Sequence, residues 1–446
     1  NGSTTPPATV TLNPQQTFEI VVRVSPSGPQ PSMLTALDGQ MVFNTTSAAQ
    51  TRVQMPLHTL RGPACLTVAP DPMDFGTVHL DCYSPTRTFN IYNTCGSAVT
   101  LQQVSLQAPS HVAQGTGSCT TGGGCDEFHL VSSPSVPMTI AAGNSAPVTF
   151  QAKYSPYDVG SDSGAIAITV LQSGQTVTYL VGLVGAGSTD GTQVDTYTQS
   201  NQTMADVLLV VDNSCSMQDK QSLLASNFSS FINYAQSANV DYRIGVVTTT
   251  VDEACPPGIP FGCPSSSGDN GANGHLWVDG PTQLKWVTPQ TPAVAQVFGR
   301  MVNVGTDSPT NELPLAAAAA ALTPPVISNE NAGFLRDEAN LAVVVVTDAS
   351  DQSPQPVSYY EDLLLNVKGY QRLSYFTFSA ISPRNGMGGT SSCAYDESGA
   401  DSSRYDPITS ATSGVTAEIC NNNWAATLQN LGQTAFGQRT QFYLQN

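Results

Sequence analysis

The sequence predicts a multidomain chain: an all-β region over residues 1–190, then an α/β domain with a doubly wound, Rossmann-like sheet over residues 204–446. Three observations carry this. Apolar residues alternate with period 2 through the N-terminal part, where helical periodicity is almost absent. A polar stretch, "GSTDGTQVDTYTQSNQT" (187–203), has no periodicity and reads as a linker. Beyond it, short apolar runs alternate with helix-length segments, which implies a parallel sheet covered on both faces.

The bulk properties agree. A length of 446 residues exceeds one typical domain. The chain is 40% apolar and 11% charged, with 37 Gly and 31 Pro, enough for real cores joined by many turns. The formal charge of −18 comes from 33 acidic and 15 basic residues, with no long acidic block. Such a surface repels nucleic acid and anionic lipid and favours cations and basic partners. The longest apolar stretches, "LAVVVV" (341–346) and "LAAAAAAL" (315–322), are too short to span a bilayer, so no transmembrane segment is expected in this chain.

In the β region, "FEIVVRV" (18–24), "VTFQAKY" (148–154), "AIAITV" (165–170) and "VTYLVGLVG" (177–185) read as strands. An internal repeat links them. "VTLNPQQTFEIVVRVSP" (10–26) parallels "MTIAAGNSAPVTFQAKYSP" (138–156), "GQMVFN" (39–44) parallels "GAIAIT" (164–169), and "VQMPLHTLRG" (53–62) parallels "VTYLVGLVG". The second copy has an upstream half that the first lacks, so residues 1–63 are expected to be a partial sandwich, its missing strands preceding residue 1 or coming from a neighbour. The "PDPMDFGTV" opening (70–78) and the Tyr-Ser-Pro after the strand at 148–154 resemble the immunoglobulin-like ASH (Hydin-type) domains. That resemblance spans residues 64–190 and implies a seven-stranded sandwich, used as a spacer, docking module or surface for self-assembly.

In the α/β region the expected strands are 206–212, 242–249, 340–348, 374–381 and 440–444. Helices are expected over 217–236, 292–302, 312–322, 357–368 and 417–432. The insert at 250–288 contains "HLWVDG-PTQLKWV", which suggests a surface hairpin. The alanines at 316–321 suit a tightly packed helix face.

Ten cysteines occur at 65, 82, 95, 119, 125, 215, 255, 263, 393 and 420, with no C-x₂-C pair to suggest a zinc ribbon. They point to disulfides and an oxidising, extracellular compartment. Cys119 with Cys125 and Cys255 with Cys263 can close small loops; Cys393 with Cys420 is a further candidate pair.

The chemistry concentrates in "DVLLVVDNSCSM" (206–217). A buried run ends in Asp212, Ser214 and Ser216, oxygen donors at every second position. In an open α/β sheet, ligands bind beyond the carboxyl ends of the strands. Asp348 ends "LAVVVVTD", and Thr306, with Thr310 as the alternative, lies in the loop "VGTDSPTNELPL" (304–315). Hard oxygen donors suit Mg²⁺, Mn²⁺ or Ca²⁺. The alternative reading makes Asp212 a helix cap and the serines acceptors for its first amides. Asp219, Asp307 and Asp351 read as a solvated rim.

This D-x-S-x-S, loop Thr and strand-end Asp resemble the metal-ion-dependent adhesion site (MIDAS) of von Willebrand factor type A domains, the fold of integrin I domains. The segments "VVDNSCSM", "GFLRDEANLAVVVVTDASDQSP" and "SRYDPITSATSGVTAEIC" resemble a group of bacterial exported members. The resemblance implies Asp212, Ser214, Ser216, Thr306 and Asp348 around one Mg²⁺, completed by a partner's acidic group. Cys215 stands where the family has a small residue, and a disulfide there would clamp the loop. The five histidines are scattered and no nucleophile–base pair is visible, so no enzyme is expected. The expected function is metal-dependent adhesion or protein binding at a bacterial cell surface. The alternative is a structural subunit of an extracellular stalk, filament or envelope complex in which the metal only stabilises a loop.

Overall fold

The computed structural model describes residues 35–44, 52–61, 66–107, 127–144, 146–190, 203–251, 270–306, 311–323, 326–369, 373–384, 395 and 399–437. Two compact units divide at Ala64/Cys65. In the first, β1 (Thr35–Asn44) pairs antiparallel with β2 (Arg52–Arg61), from Thr35 opposite Arg61 to Asn44 opposite Arg52. The expected strand at 18–24 lies outside the described residues.

The second unit opens with an immunoglobulin-like sandwich. Its strands are β3 (Leu66–Ala69), β4 (Met73–His79), β5 (Arg87–Asn93), β6 (Val99–Gln107), β7 (Phe128–Ser132), β8 (Met138–Ile140), β9 (Val148–Tyr154), β10 (Gly160–Gln172) and β11 (Gln175–Ser188). One sheet has the order β4-β11-β10-β6-β8 and the other β3-β5-β9-β7. The described strands number nine, not the seven implied by the resemblance. Pro70 and Pro72 are one cause: proline has no N–H for a ladder, and the chain crosses there from one sheet (β3) to the other (β4). Alternate residues fill the interior, with Phe89 stacked on Phe150 at 4.6 Å. The antiparallel β10–β11 pairing repeats the antiparallel β1–β2 pairing, as the internal repeat requires.

Next come β12 (Met204–Val211), α1 (Gln218–Ser226), α2 (Phe228–Ser237), β13 (Asp241–Thr248), β14 (Trp286–Val287), α3 (Val294–Val302), α4 (Pro314–Leu322), β15 (Asn340–Val346), α5 (Val357–Leu365), β16 (Phe376–Ser382), α6 (Asp406–Ala411), β17 (Thr416–Glu418) and α7 (Trp424–Phe436). The sheet order is β14-β13-β12-β15-β16-β17, parallel except for the β14 edge. Period-2 alternation divides each central strand between two cores. Val207, Leu209, Val211, Ala342, Val344 and Val346 pack with α1, α2, α3 and α7. Leu208, Val210, Leu341, Val343 and Val345 pack with α4, α5 and α6, including buried Ala316–Ala319 and Ala321. This is why β12 and β15 are apolar throughout rather than alternating with polar residues.

Three elements differ from the sequence reading. The helix expected at 217–236 is two, α1 and α2, broken at Asn227, whose side-chain amide donates to the Leu223 carbonyl at 2.9 Å. The helix expected from 417 starts at Trp424, capped by Asn423; residues 416–418 pair with β16 instead. That pairing is tertiary and overrides local helical spacing. Of the expected hairpin in the insert, only Trp286–Val287 forms a strand. Around Asp279 the chain folds on itself through side-chain bonds from Thr282 and Arg300. The expected strand at 440–444 lies outside the described residues.

One close packing is testable. Helix α7 crosses α2 at Gly432, where an added Cβ would sit 2.0 Å from the Phe231 carbonyl oxygen. Gly432→Ala is expected to lower stability by about 1–3 kcal/mol, read as an earlier thermal unfolding transition.

Candidate metal centre at the sheet switch point

Along the chain the parallel strands run β12, β13, β15, β16, β17, but in space β13 lies on one side of β12 and β15 on the other. The winding reverses between β12 and β15, and in such sheets the crevice beyond that point receives ligands. Asp212 follows β12, and its N–H donates to the Val346 carbonyl at 2.9 Å. Val211 pairs with Val346, so the residues beyond them, Asp212 and Thr347, are neighbours. Thr347 donates its hydroxyl to Asp212 Oδ2 at 2.6 Å, and Asp348 is next in the chain.

The loop after β12 then turns back. The Ser214 N–H donates to Asp212 Oδ1 at 2.7 Å, an Asx-type turn. Ser214 Oγ lies 3.2 Å from Ser216 Oγ, and Ser216 Oγ donates to Asp348 Oδ1 at 3.0 Å. The structure thus brings Asp212, Ser214, Ser216 and Asp348 together. Gln221 bridges the Asp212 carbonyl (2.9 Å) and the Gly305 carbonyl (2.8 Å), tethering the loop of half-buried Thr306 to the same corner. Thr310 and Asp307 lie outside the described residues.

Sequence reasoning missed Lys220. Its side chain is buried, 2% exposed, and its ammonium donates to Asp348 Oδ2 at 2.7 Å and to the Ser216 carbonyl at 2.9 Å. The available signal was the i, i+4 spacing from Ser216 on the first turns of a helix. Asn213, the x of D-x-S, was also overlooked: its Oδ1 accepts from Thr250 (3.1 Å) and lies 3.2 Å from the Thr249 hydroxyl, which has buried Glu312 as its other acceptor. These bonds hold the loop against the end of β13 and the approach to α4.

Asp351 corrects the sequence reading of a solvated rim. It is 4% exposed and accepts from the Leu315 N–H at 3.0 Å, the Ser353 hydroxyl at 2.6 Å and Arg404 Nε at 2.7 Å. It satisfies an amide at the start of α4 and ties the Asp348 loop to the turn before α6. Asp219, by contrast, is on the rim, with its side chain 59% exposed.

Burial pushes the Asp212 carboxyl up to about 6, and the nearby Asp348 charge adds to this, while the bonds from Thr347 and Ser214 oppose it. Two carboxylates and one ammonium leave the corner with one net negative charge. The donors present fit a small divalent cation. Neighbouring ligands of an octahedral Mg²⁺ lie about 2.9 Å apart, given metal–oxygen bonds of about 2.0–2.1 Å. The spacings Ser214 Oγ–Ser216 Oγ and Ser216 Oγ–Asp348 Oδ1, 3.2 and 3.0 Å, are close to such edges.

Cys215 is an exposed free thiol, as is Cys82, so the expected disulfide clamp on the loop after β12 is absent. Ser214 and Ser216 approach each other on one side of the turn, leaving the residue between them outside. Cys95 and Cys420 are each in a disulfide. Cys119, Cys125, Cys255, Cys263 and Cys393 lie outside the described residues.

No family model and no curated protein sequence matches the chain. Solved structures that resemble it do so weakly. The ASH/PapD-like domain of human CEP192 is 12% identical over 28% of this chain and 87% of its own, with a TM-score of 0.22. Proximal thread matrix protein 1 from the mussel byssus is 12% identical over 52% of this chain and 48% of its own, with a TM-score of 0.32. The pilus adhesin SpaC of Lactobacillus rhamnosus GG is 11% identical over 63% of this chain and 33% of its own, with a TM-score of 0.33. None of these descriptions names a von Willebrand type A domain.

Proposed function

We propose that residues 204–446 are a von Willebrand type A-like domain that binds one divalent cation, Mg²⁺ first among them, to capture an acidic group on a protein or surface ligand. The supporting observation is the run Ser214 Oγ, Ser216 Oγ, Asp348 Oδ1 at the sheet's switch point, with Asp212 held behind it. Ser214, Ser216 and Thr306 would offer neutral oxygens and Asp212 and Asp348 the charge. A divalent ion added to a corner of one net negative charge leaves one positive charge, which a partner's carboxylate neutralises. Mn²⁺ or Ca²⁺ would use the same donors. In this reading the protein is a non-enzymatic adhesin of the bacterial cell surface, with the β domains as spacer or self-assembly modules. Among the described residues, no helix is long and apolar enough to cross a membrane.

Ser214→Ala tests it most cleanly, because it deletes one neutral donor and leaves the charges in place. Calorimetric titration with Mg²⁺ and Mn²⁺ should show binding in the wild type that the variant weakens at least tenfold, with the fold retained. A wild type that binds neither ion at millimolar concentration refutes the metal reading. The second reading, a structural subunit of a stalk or filament, draws on Lys220. Its ammonium braces Asp348, so a cation beside it would serve only to stabilise the loop. In that case, chelation makes the assembly itself fall apart, whereas in the adhesion reading ligand capture vanishes while the assembly persists.

A further inference from the structure

Strand β5 alternates cleanly. Phe89 and Ile91 fill the sandwich interior, so Asn90 and Tyr92 lie on the outer face of the four-stranded sheet. An outer-face tyrosine of a free sandwich stands in water, yet Tyr92 is 1% exposed. Helix α5 covers it. The Tyr92 hydroxyl donates to the Asp362 carboxylate, with the Ser358 carbonyl 3.2 Å away as a second acceptor. Asn90 Nδ2 donates to the same Asp362 Oδ2 at 2.7 Å. The Tyr92 ring meets Tyr359 edge-on, with centroids 5.5 Å apart. Ala69 and Tyr92 belong to the apolar cluster that α4, α5 and β15 build.

From α5 the contacts continue inward. Tyr359 packs edge-on against Tyr360 at 5.1 Å, and the Tyr360 hydroxyl accepts from the Gln355 N–H at 3.3 Å. The Gln355 and Ser353 carbonyls accept from Arg404, which holds Asp351. Asp351 lies three residues beyond Asp348. The segment between the strand-end aspartate and the docked helix is therefore bonded at both ends.

We propose that the Asn90–Tyr92 face of the sandwich is a docking surface for α5, making residues 66–190 and 203–437 one cooperative body and holding the loop at 349–356 in place. Asp362 is the anchor: one carboxylate oxygen takes donors from two residues of β5, and such charge-assisted bonds are the stronger kind. The docking needs no metal, so it stands or falls separately from the metal-binding reading. A chain of contacts becomes coupling only when a change at one end moves the other.

Hydrogen exchange on the full chain, without divalent ions, reads both ends. Tyr92→Phe removes only a hydroxyl, and Asp362→Ala removes the shared acceptor. Each is expected to speed exchange of the α5 amides about tenfold or more, the effect of losing a hydrogen bond to a charged group. The free-energy effect of the double variant should fall short of the sum of the two single effects, because the bond is shared. Amides at 349–356 should speed up as well, whereas Thr88→Ala, on the same outer face of β5, should change neither segment. Unchanged α5 exchange in both single variants overturns the docking. Faster α5 exchange with an unchanged 349–356 segment overturns the hold on the loop.

Discussion

Lys220→Met is expected to destabilise the α/β layer by about 3–5 kcal/mol in metal-free buffer, because it leaves the buried Asp348 carboxylate without its counter-charge. The methionine keeps most of the stem's volume, so the loss reports the ion pair rather than a cavity. If a divalent cation binds beside Asp348, it should replace the missing positive charge. Mg²⁺ should therefore raise the unfolding temperature of Lys220→Met more than that of the wild type. Saturation at a hundred times the dissociation constant adds about 2.7 kcal/mol by mass action. The check is thermal unfolding of both proteins with and without Mg²⁺. Equal shifts would show that the ammonium and the cation do not share Asp348. No shift in either would count against the metal centre as a whole.

Arg336→Met supplies the second large effect and a control at the opposite end of the same strand. Asp206, fully buried near the start of β12, accepts from Arg336 Nε at 2.8 Å and from the Arg336 N–H at 2.7 Å. The same guanidinium donates to Asp241 Oδ2 at 2.8 Å and to the Ala205 and Asp241 carbonyls at 3.1 Å. It thus ties the starts of β12 and β13 to the segment before β15. Burial raises the Asp206 pKa, and Arg336 opposes that shift. Removing the guanidinium is expected to cost about 3–5 kcal/mol. At about 2–4 °C per kcal/mol for a domain of this size, that lowers the unfolding temperature by about 10 °C or more. Mg²⁺ should not relieve this deficit beyond its effect on the wild type, since Asp206 lies at the other end of the strand. A rescue as large as in Lys220→Met would show that Mg²⁺ stabilises the fold without site specificity.

The outline of the site was legible because it is written locally. Val207 to Val211 form an unbroken apolar run, and a run buried on both faces is a central strand. The polar residues after it sit at every second position, and the turn brings Ser214 and Ser216 within 3.2 Å of each other. Asp348 was found by the same logic, as the first carboxylate beyond a second such run. Thr306 was placed in the right loop, but what holds that loop is Gln221, which had no distinguishing pattern around it. The errors have one character. Asp351 looks like any acidic loop residue until α4 and α6 are packed around it. Residues 417 and 418 look helical until β16 offers them a ladder.

By itself, the sequence determined the two periodicities, the β10–β11 and β1–β2 repeat, the central strands and the oxygen-rich turn at Asp212, because each depends on residues within a few positions of one another. Only the tertiary structure decided which charges are paired, which aspartates are buried and where the sandwich sits. Lys220 meets Asp348 across 128 positions and Tyr92 meets Asp362 across 270. Contacts at such separations depend on how sheets and helices stack, and the residues making them carry no shared local pattern to announce it.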